Sequence, residues 1–309
     1  MGPATEAPRR IVSLLPSATE LLFAVGAGDR VVAVTHECDH PPDSVRSLPR
    51  LTSNALPNDG AAPRDVDTHI RAARHEGSSI YNLDASLLAE LDPDLVVTQE
   101  LCAVCAVAYE TVRGAVRRLP GEIPILSLEP RTLDDIVDTV AAVGAAAGRE
   151  RDAALLMASM RERIAAIASL ATPDPKPRVA CIEWTDPIFA GGHWVPDLVA
   201  VAGGEDVLGS AGEPSREVVW DRVIEAAPDV MVLMPCGYGL ERTLELAPEV
   251  TSRPGFAALP CARDNRVVAV DGSSYFNRPG PRIVDGLEML AAAIRSRPGD
   301  PLPRGAAWV

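Results

Sequence analysis

The sequence predicts an α/β fold: two parallel-sheet lobes joined by one long helix, with a ligand cleft between the lobes. Three observations carry that expectation. Short apolar runs alternate with helical patterns up to residue 130 and again after 177, as they do in parallel sheets covered on both faces. A helical pattern fills 132–170, and the Pro-rich stretch 173–177 ends it. Unbroken, that helix would be about 60 Å long at 1.5 Å per residue. A faint repeat links the halves: 88–98 and 224–233 each read as a helix end, a Pro-Asp turn and a buried strand. The expected organisation is an N-terminal lobe at 10–130, a linking helix at 131–172 and a C-terminal lobe at 177–297. Tails occupy 1–9 and 298–309.

Each element has a local reason. Residues 11–15 form a short apolar strand, and Ser17-Ala-Thr-Glu20 reads as a capping box opening a helix that Gly26 or Gly28 stops. Residues 31–34 form a second strand, and the polar, Pro-rich span 39–66 reads as a long loop. Asp84 caps a helix through Leu87, Leu88 and Leu91. Asp92-Pro93-Asp94 breaks that helix before a strand at 95–98; a helix at 106–119 and a strand at 123–128 follow. Thr132-Leu-Asp-Asp135 opens the linking helix, whose weak points are Gly144 and Gly148. Beyond it come strands at 178–184, 229–234 and 267–270, and helices at 194–202, 218–227 and 281–295.

Composition narrows the function classes. The chain has 309 residues, about two domains' worth. Its 29 Lys+Arg against 43 Asp+Glu give a net charge of −14, which repels nucleic acid and anionic membrane. Aromatic content of 4% leaves little for base stacking. No run of 18 apolar residues occurs, and the first ten residues read as neither a signal peptide nor a lipidation site. These features predict a cytoplasmic protein with no stable membrane association. Six cysteines in a reducing compartment then favour metal or chemical roles over disulfides.

The unusual residues cluster after strands, where open α/β sheets bind ligands. His36-Glu-Cys-Asp-His40, Gln99-Glu-Leu-Cys-Ala-Val-Cys105, Glu183-Trp184, Pro235-Cys-Gly-Tyr-Gly239 and Gly272-Ser-Ser-Tyr-Phe276 all sit there. Cys102 and Cys105 are spaced to face one side of a helical turn, as a metal chelate or a redox dithiol requires. With Cys38 and Cys236 they would supply four thiolates, enough for zinc or an iron–sulfur cluster. His36, His40 and His193 are further candidate ligands. For Cys38 and Cys236 a small buried thiol is the alternative, and for Cys181 and Cys261 it is the better reading. Glu37 and Glu100 could pair for acid–base chemistry, although such residues more often hydrogen-bond loop backbone. His69 and His75 read as solvated. Trp184, Phe189, His193, Trp194, Tyr238, Tyr275 and Phe276 could line a pocket for a flat ligand, with Glu100 beside it. Trp220 reads as core. No nucleotide or nucleophile-elbow motif appears.

Residues 11–26, Ile-Val-Ser-Leu-Leu-Pro-Ser-Ala-Thr-Glu-Leu-Leu-Phe-Ala-Val-Gly, resemble the opening of the cobalamin-binding proteins of ABC importers. Further matches keep the same order: 91–97, Gly203-Gly-Glu-Asp206, Ser215-Arg-Glu217, Pro228-Asp229 and Arg278-Pro-Gly-Pro-Arg-Ile283. The resemblance covers about 10–295 and implies the helical-backbone receptor fold, shared with siderophore and metal receptors. It implies a non-catalytic protein holding a corrinoid or another metal-containing cofactor between its lobes, with His36 or a Cys near the metal. Two alternatives stay open. One is a thiolate-ligated metal or iron–sulfur protein using Cys38, Cys102, Cys105 and Cys236, and it could be an enzyme. The other is a metal-ion receptor using His36, Glu37 and Cys.

Overall fold

The structure is a computed structural model, and it describes residues 6–54, 61–75, 81–99, 109–170 and 174–309. The chain divides into two compact units. One comprises residues 1–130 with 135–159, and the other comprises 131–134 with 160–309.

The N-terminal unit runs β1 (Ile11–Ser13), α1 (Pro16–Ala24), β2 (Val31–Ala33), α2 (Pro42–Val45), β3 (Thr52–Asn54), α3 (Pro63–His75), β4 (Tyr81–Leu83), α4 (Ala85–Glu90), β5 (Leu95–Thr98), α5 (Tyr109–Val116), β6 (Ile125–Ser127) and α6 (Leu133–Ala147). Among the described residues its main sheet has the order β2-β1-β5-β6, parallel throughout. β1 and β5 are buried along their whole length, as the central strands of a sheet covered on both faces must be. Val12, Leu14, Leu51, Leu88, Val96 and Val112 share one core.

The capping box at Ser17 does not form. α1 starts two residues earlier, with Pro16 pre-set for the first helical position and Leu15 extended before it. The Thr19 hydroxyl bonds Ser13 Oγ at 2.8 Å instead, tying the helix back to β1. At the other end Gly26 takes φ +74°, and Ala27 N donates to Leu22 O at 2.8 Å while Gly26 N donates to Phe23 O at 3.1 Å. That paired bonding closes the helix as a Schellman motif. Asp84 caps α4 as expected, accepting from Ser86 N and Leu87 N. The span 39–66 is not one long loop. It contains α2, β3 and the start of α3, and two of its prolines, Pro42 and Pro63, sit at the first positions of helices, where no N–H is needed.

The single helix expected over 132–170 is two helices. α6 ends at Ala147, and α7 (Glu150–Ala168) begins after Gly148 at φ +63°. Arg149 N folds back to Gly144 O at 2.7 Å, so the ladder ends there rather than propagating. The weak point read from the sequence is a full stop.

The C-terminal unit continues β7 (Arg178–Thr185), β8 (Ile188–Ala190), α8 (Val195–Val201), β9 (Glu205–Asp206), β10 (Arg216–Glu217), α9 (Trp220–Ala226), β11 (Val230–Leu233), α10 (Leu240–Thr251), α11 (Pro260–Arg263), β12 (Val267–Val270), α12 (Gly272–Tyr275), α13 (Ile283–Arg295) and β13 (Ala306–Trp308). Its sheet has the order β10-β8-β7-β11-β12-β13, and β9 also pairs with β7. β7, β11 and β12 are parallel, whereas β8 and β13 run antiparallel to their neighbours. The last segment is therefore not a loose tail: Trp308 pairs with Val268 and Ala306 with Val270 along the edge of β12.

Candidate functional site

The long strand β7 carries the aromatic surface of the C-terminal unit. Trp184 near its carboxyl end stands opposite Phe189 of β8, and Phe189 stands opposite Glu217 of β10. Residues opposed across antiparallel strands share a face, so Trp184, Phe189 and Glu217 form one row. Tyr238 reaches the row from the loop after β11. Its ring stacks on Trp184 with centroids 5.5 Å apart and planes 20° apart. Gly237, at φ +80°, makes the turn that aims it. Cys236 N donates to Glu183 O at 3.0 Å, and Ser273 N donates to Tyr238 O at 3.1 Å, so the loop is held on both sides. The Arg242 guanidinium lies 5.8 Å from the Tyr238 ring centre, a cation–π distance. Burial raises the Tyr238 phenol pKa above its ordinary value, so the ring stays neutral. Ser215 Oγ donates to the half-buried Glu183 carboxylate.

The remaining aromatic candidates separate. Phe276 is fully buried and Trp194 nearly so, with Trp194 Nε1 donating to Phe276 O at 2.8 Å. The expectation that Phe276 lines a pocket is corrected: close packing of α12 on α13 turns its ring inward. Tyr275 packs against Gly305, with Arg282 over its ring at 5.6 Å. Trp220 packs partly buried against the core, donating to Pro254 O at 2.8 Å. His193 is half-buried at φ +49°, its ring 5.6 Å from that of Trp194. Burial, and then the Arg131 charge, lower its pKa below 6.5, which keeps the imidazole neutral.

In the N-terminal unit a polar cluster follows β2. His36 Nδ1 lies 2.7 Å from Thr52 Oγ1, and its ring sits 5.2 Å from that of Tyr81. The Tyr81 hydroxyl donates to Glu37 Oε1 at 3.3 Å, and His36 Nε2 is 3.6 Å from the same oxygen. Burial lowers the His36 pKa, Glu37 opposes that, and Arg50 adds to it. The sequence does not single out Thr52 or Tyr81: β3 falls inside the polar span that reads as a loop, and β4 is a three-residue strand that forms by pairing with β3.

The thiols do not assemble among the described residues. Cys38 is buried, its sulfur 3.1 Å from both Thr19 Oγ1 and Thr35 Oγ1. Arg50 Nη1 donates to Thr35 O and Cys38 O, pinning that loop. Cys236 is exposed. Glu100, Cys102 and Cys105 lie outside the described residues. Among the described residues no group of three or more His, Cys, Asp or Glu could hold a metal ion. Cys181 and Cys261 are buried as expected, and burial pushes the Cys261 thiol to about 11. His69 is exposed.

The His36 environment gives a prediction with a definite sign. The unfolded chain takes up a proton near 6.5, and the folded chain resists it until lower pH. Stability is therefore retained above about 6.5 and falls as pH drops through the window below it. His193 acts in the same direction. The midpoint of denaturant unfolding should fall between about pH 7 and pH 5, and His36→Gln should flatten that fall. An unchanged pH profile in the variant would refute the assignment.

A model of a family described as "Periplasmic binding protein" matches residues 11–273. The vitamin B12-binding protein of Vibrio cholerae is 23% identical over 288 residues, covering 93% of this chain and 89% of its own. An uncharacterized ABC transporter substrate-binding lipoprotein of Bacillus subtilis, YvrC, is 24% identical, covering 93% and 80%. Among solved structures, the apo periplasmic heme-binding protein RhuT of Roseiflexus sp. RS-1 superposes with a TM-score of 0.68 at 26% identity, covering 93% and 97%. These likenesses overturn the cytoplasmic placement: the family is one of periplasmic proteins, and the Bacillus relative is a lipoprotein. Net charge and ten leading residues do not determine a compartment. The expectation of no stable membrane association loses its ground with it. No helix among the described residues is long and apolar enough to cross a membrane.

Proposed function

The chain belongs to the periplasmic binding protein family, and from that premise we propose that it captures a corrinoid for an ABC transporter, seating it on the aromatic row of the C-terminal unit. The observation that carries this reading is the stacked Trp184–Tyr238 pair. It offers a neutral aromatic surface at the carboxyl end of β7, braced by backbone hydrogen bonds, with the Arg242 guanidinium over the Tyr238 ring. A preformed face costs little ordering when a rigid macrocycle lands on it. The vitamin B12-binding relative supports the corrinoid assignment.

The likeness to the heme-binding structure favours a second reading, in which the macrocycle is a porphyrin. Titration of the purified protein with cyanocobalamin and, separately, with hemin decides between them, read by tryptophan fluorescence and calorimetry. Saturable one-to-one binding of cyanocobalamin is expected. Saturation by hemin alone selects the second reading, and saturation by neither overturns both.

A further inference from the structure

The row that Trp184 and Phe189 begin ends on a carboxylate. The sheet order β10-β8-β7 carries it two strands outward from Trp184, about 10 Å at about 4.8 Å per strand, to Glu217 on the edge strand β10. Glu217 is exposed. Its neighbour Arg216 stands opposite Ala190, which packs in the core. Alternation along the strand therefore turns Arg216 to the other face, where its Nη2 donates to Leu208 O at 2.8 Å.

Arg242 and Arg278, the cations tied to the Tyr238 loop, are engaged within the protein. Arg242 lies over the Tyr238 ring and pairs with Glu245 at 2.9 Å. Arg278 Nη2 donates at 3.3 Å to the hydroxyl of Ser273, whose backbone N holds Tyr238 O. A flat ligand stacked on Trp184 and extending along the row therefore meets aromatic rings under its body and a negative charge at its fringe. The fringe is where macrocycles differ. A corrinoid carries carboxamides, whose N–H groups donate to a carboxylate. A porphyrin such as heme carries carboxylates, which Glu217 repels. A carboxylate has about four lone-pair sites, so Glu217 can serve a ligand donor beside any contact within the protein.

We propose that Glu217 sets the chemical class of the ligand, selecting a macrocycle fringed with carboxamides over one fringed with carboxylates. That role rests on the corrinoid reading of the aromatic row. Selection of this kind works by penalising the wrong ligand as much as by holding the right one. Because Glu217 is exposed on an edge strand, its replacement should leave the sheet intact.

The test uses the full chain at low ionic strength, where charge effects are least screened. Two probes share the corrin ring and its cyanide axial ligands: dicyanocobinamide, with a carboxamide fringe, and dicyanocobyrinic acid, with a carboxylate one. Each is titrated by calorimetry. Wild type should bind dicyanocobinamide about tenfold or more tighter, and Glu217→Gln should narrow that ratio about three- to tenfold. Glu217→Lys should narrow it further. Glu225→Gln removes one exposed charge near the end of α9, beside the amino end of β11, and should leave the ratio unchanged. If wild type binds dicyanocobinamide, an unchanged ratio in Glu217→Gln, or equal narrowing in Glu225→Gln, overturns the proposal and leaves the corrinoid reading standing. Failure of wild type to bind either cyanocobalamin or dicyanocobinamide overturns the corrinoid reading itself, and the role of Glu217 with it.

Discussion

Trp184→Ala should weaken corrinoid binding about ten- to a hundredfold. One ring face contributes about 60–100 Å² of apolar contact, worth about 1.5–2.5 kcal/mol at about 25 cal/mol per Å². The loss is compounded because Tyr238 stacks on Trp184, and without that support its ring has more freedom to lose on binding. Trp184→Phe, which keeps a smaller flat face, should fall between the two. Trp184 is half-buried at the end of its strand, so the variant should fold. Cyanocobalamin titration of the three proteins checks this, and an affinity unchanged in Trp184→Ala would remove the aromatic row from the binding surface.

The second large effect is on stability. Phe276→Ala should cost about 3–5 kcal/mol, the range for emptying a filled aromatic core site. The ring is 0% exposed. A Cβ added at Gly286 would lie 3.4 Å from Phe276 Cε1 and 2.3 Å from Tyr275 O, so α13 presses closely on this segment. Little room for relaxation means that most of the cavity persists. The denaturant midpoint should drop sharply, whereas the corrinoid affinity of the folded fraction should stay near that of wild type. A large loss of affinity with an unmoved midpoint would return Phe276 to the ligand surface.

Much of the fold was legible because its signals are local. The strands at Leu95–Thr98 and Val267–Val270 are continuous apolar runs between breakers, and both appear at the expected residues. Asp84 announces α4 by its side-chain chemistry alone. What was missed depends on tertiary partners. β8 is three residues long and exists because it pairs with β7. β13 emerges from a Pro-rich end that only the edge of β12 makes into a strand. Gly148 is a weak point by residue type, but whether it bends or ends a helix depends on a backbone dihedral that composition does not reveal. At the site, Trp184, Phe189 and Tyr238 were recognisable by type and by their position after strands. Their grouping apart from Phe276 was not, because burial depends on what packs against a residue. Cys38 has the chemistry of a metal ligand by residue type, and only the fold brings the hydroxyls of Thr19 and Thr35 to its sulfur.

The pairing of Ala306–Trp308 along β12 has a further consequence, for solubility. A central strand left at a sheet margin presents a row of free amides and carbonyls to any other extended chain. Here the molecule supplies its own final strand, and Trp308 Nε1 fastens it by donating to Asp300 O at 2.9 Å. The segment covers the buried β12 and leaves at the margin a strand of only three residues, a short edge that offers little for another extended chain to pair with.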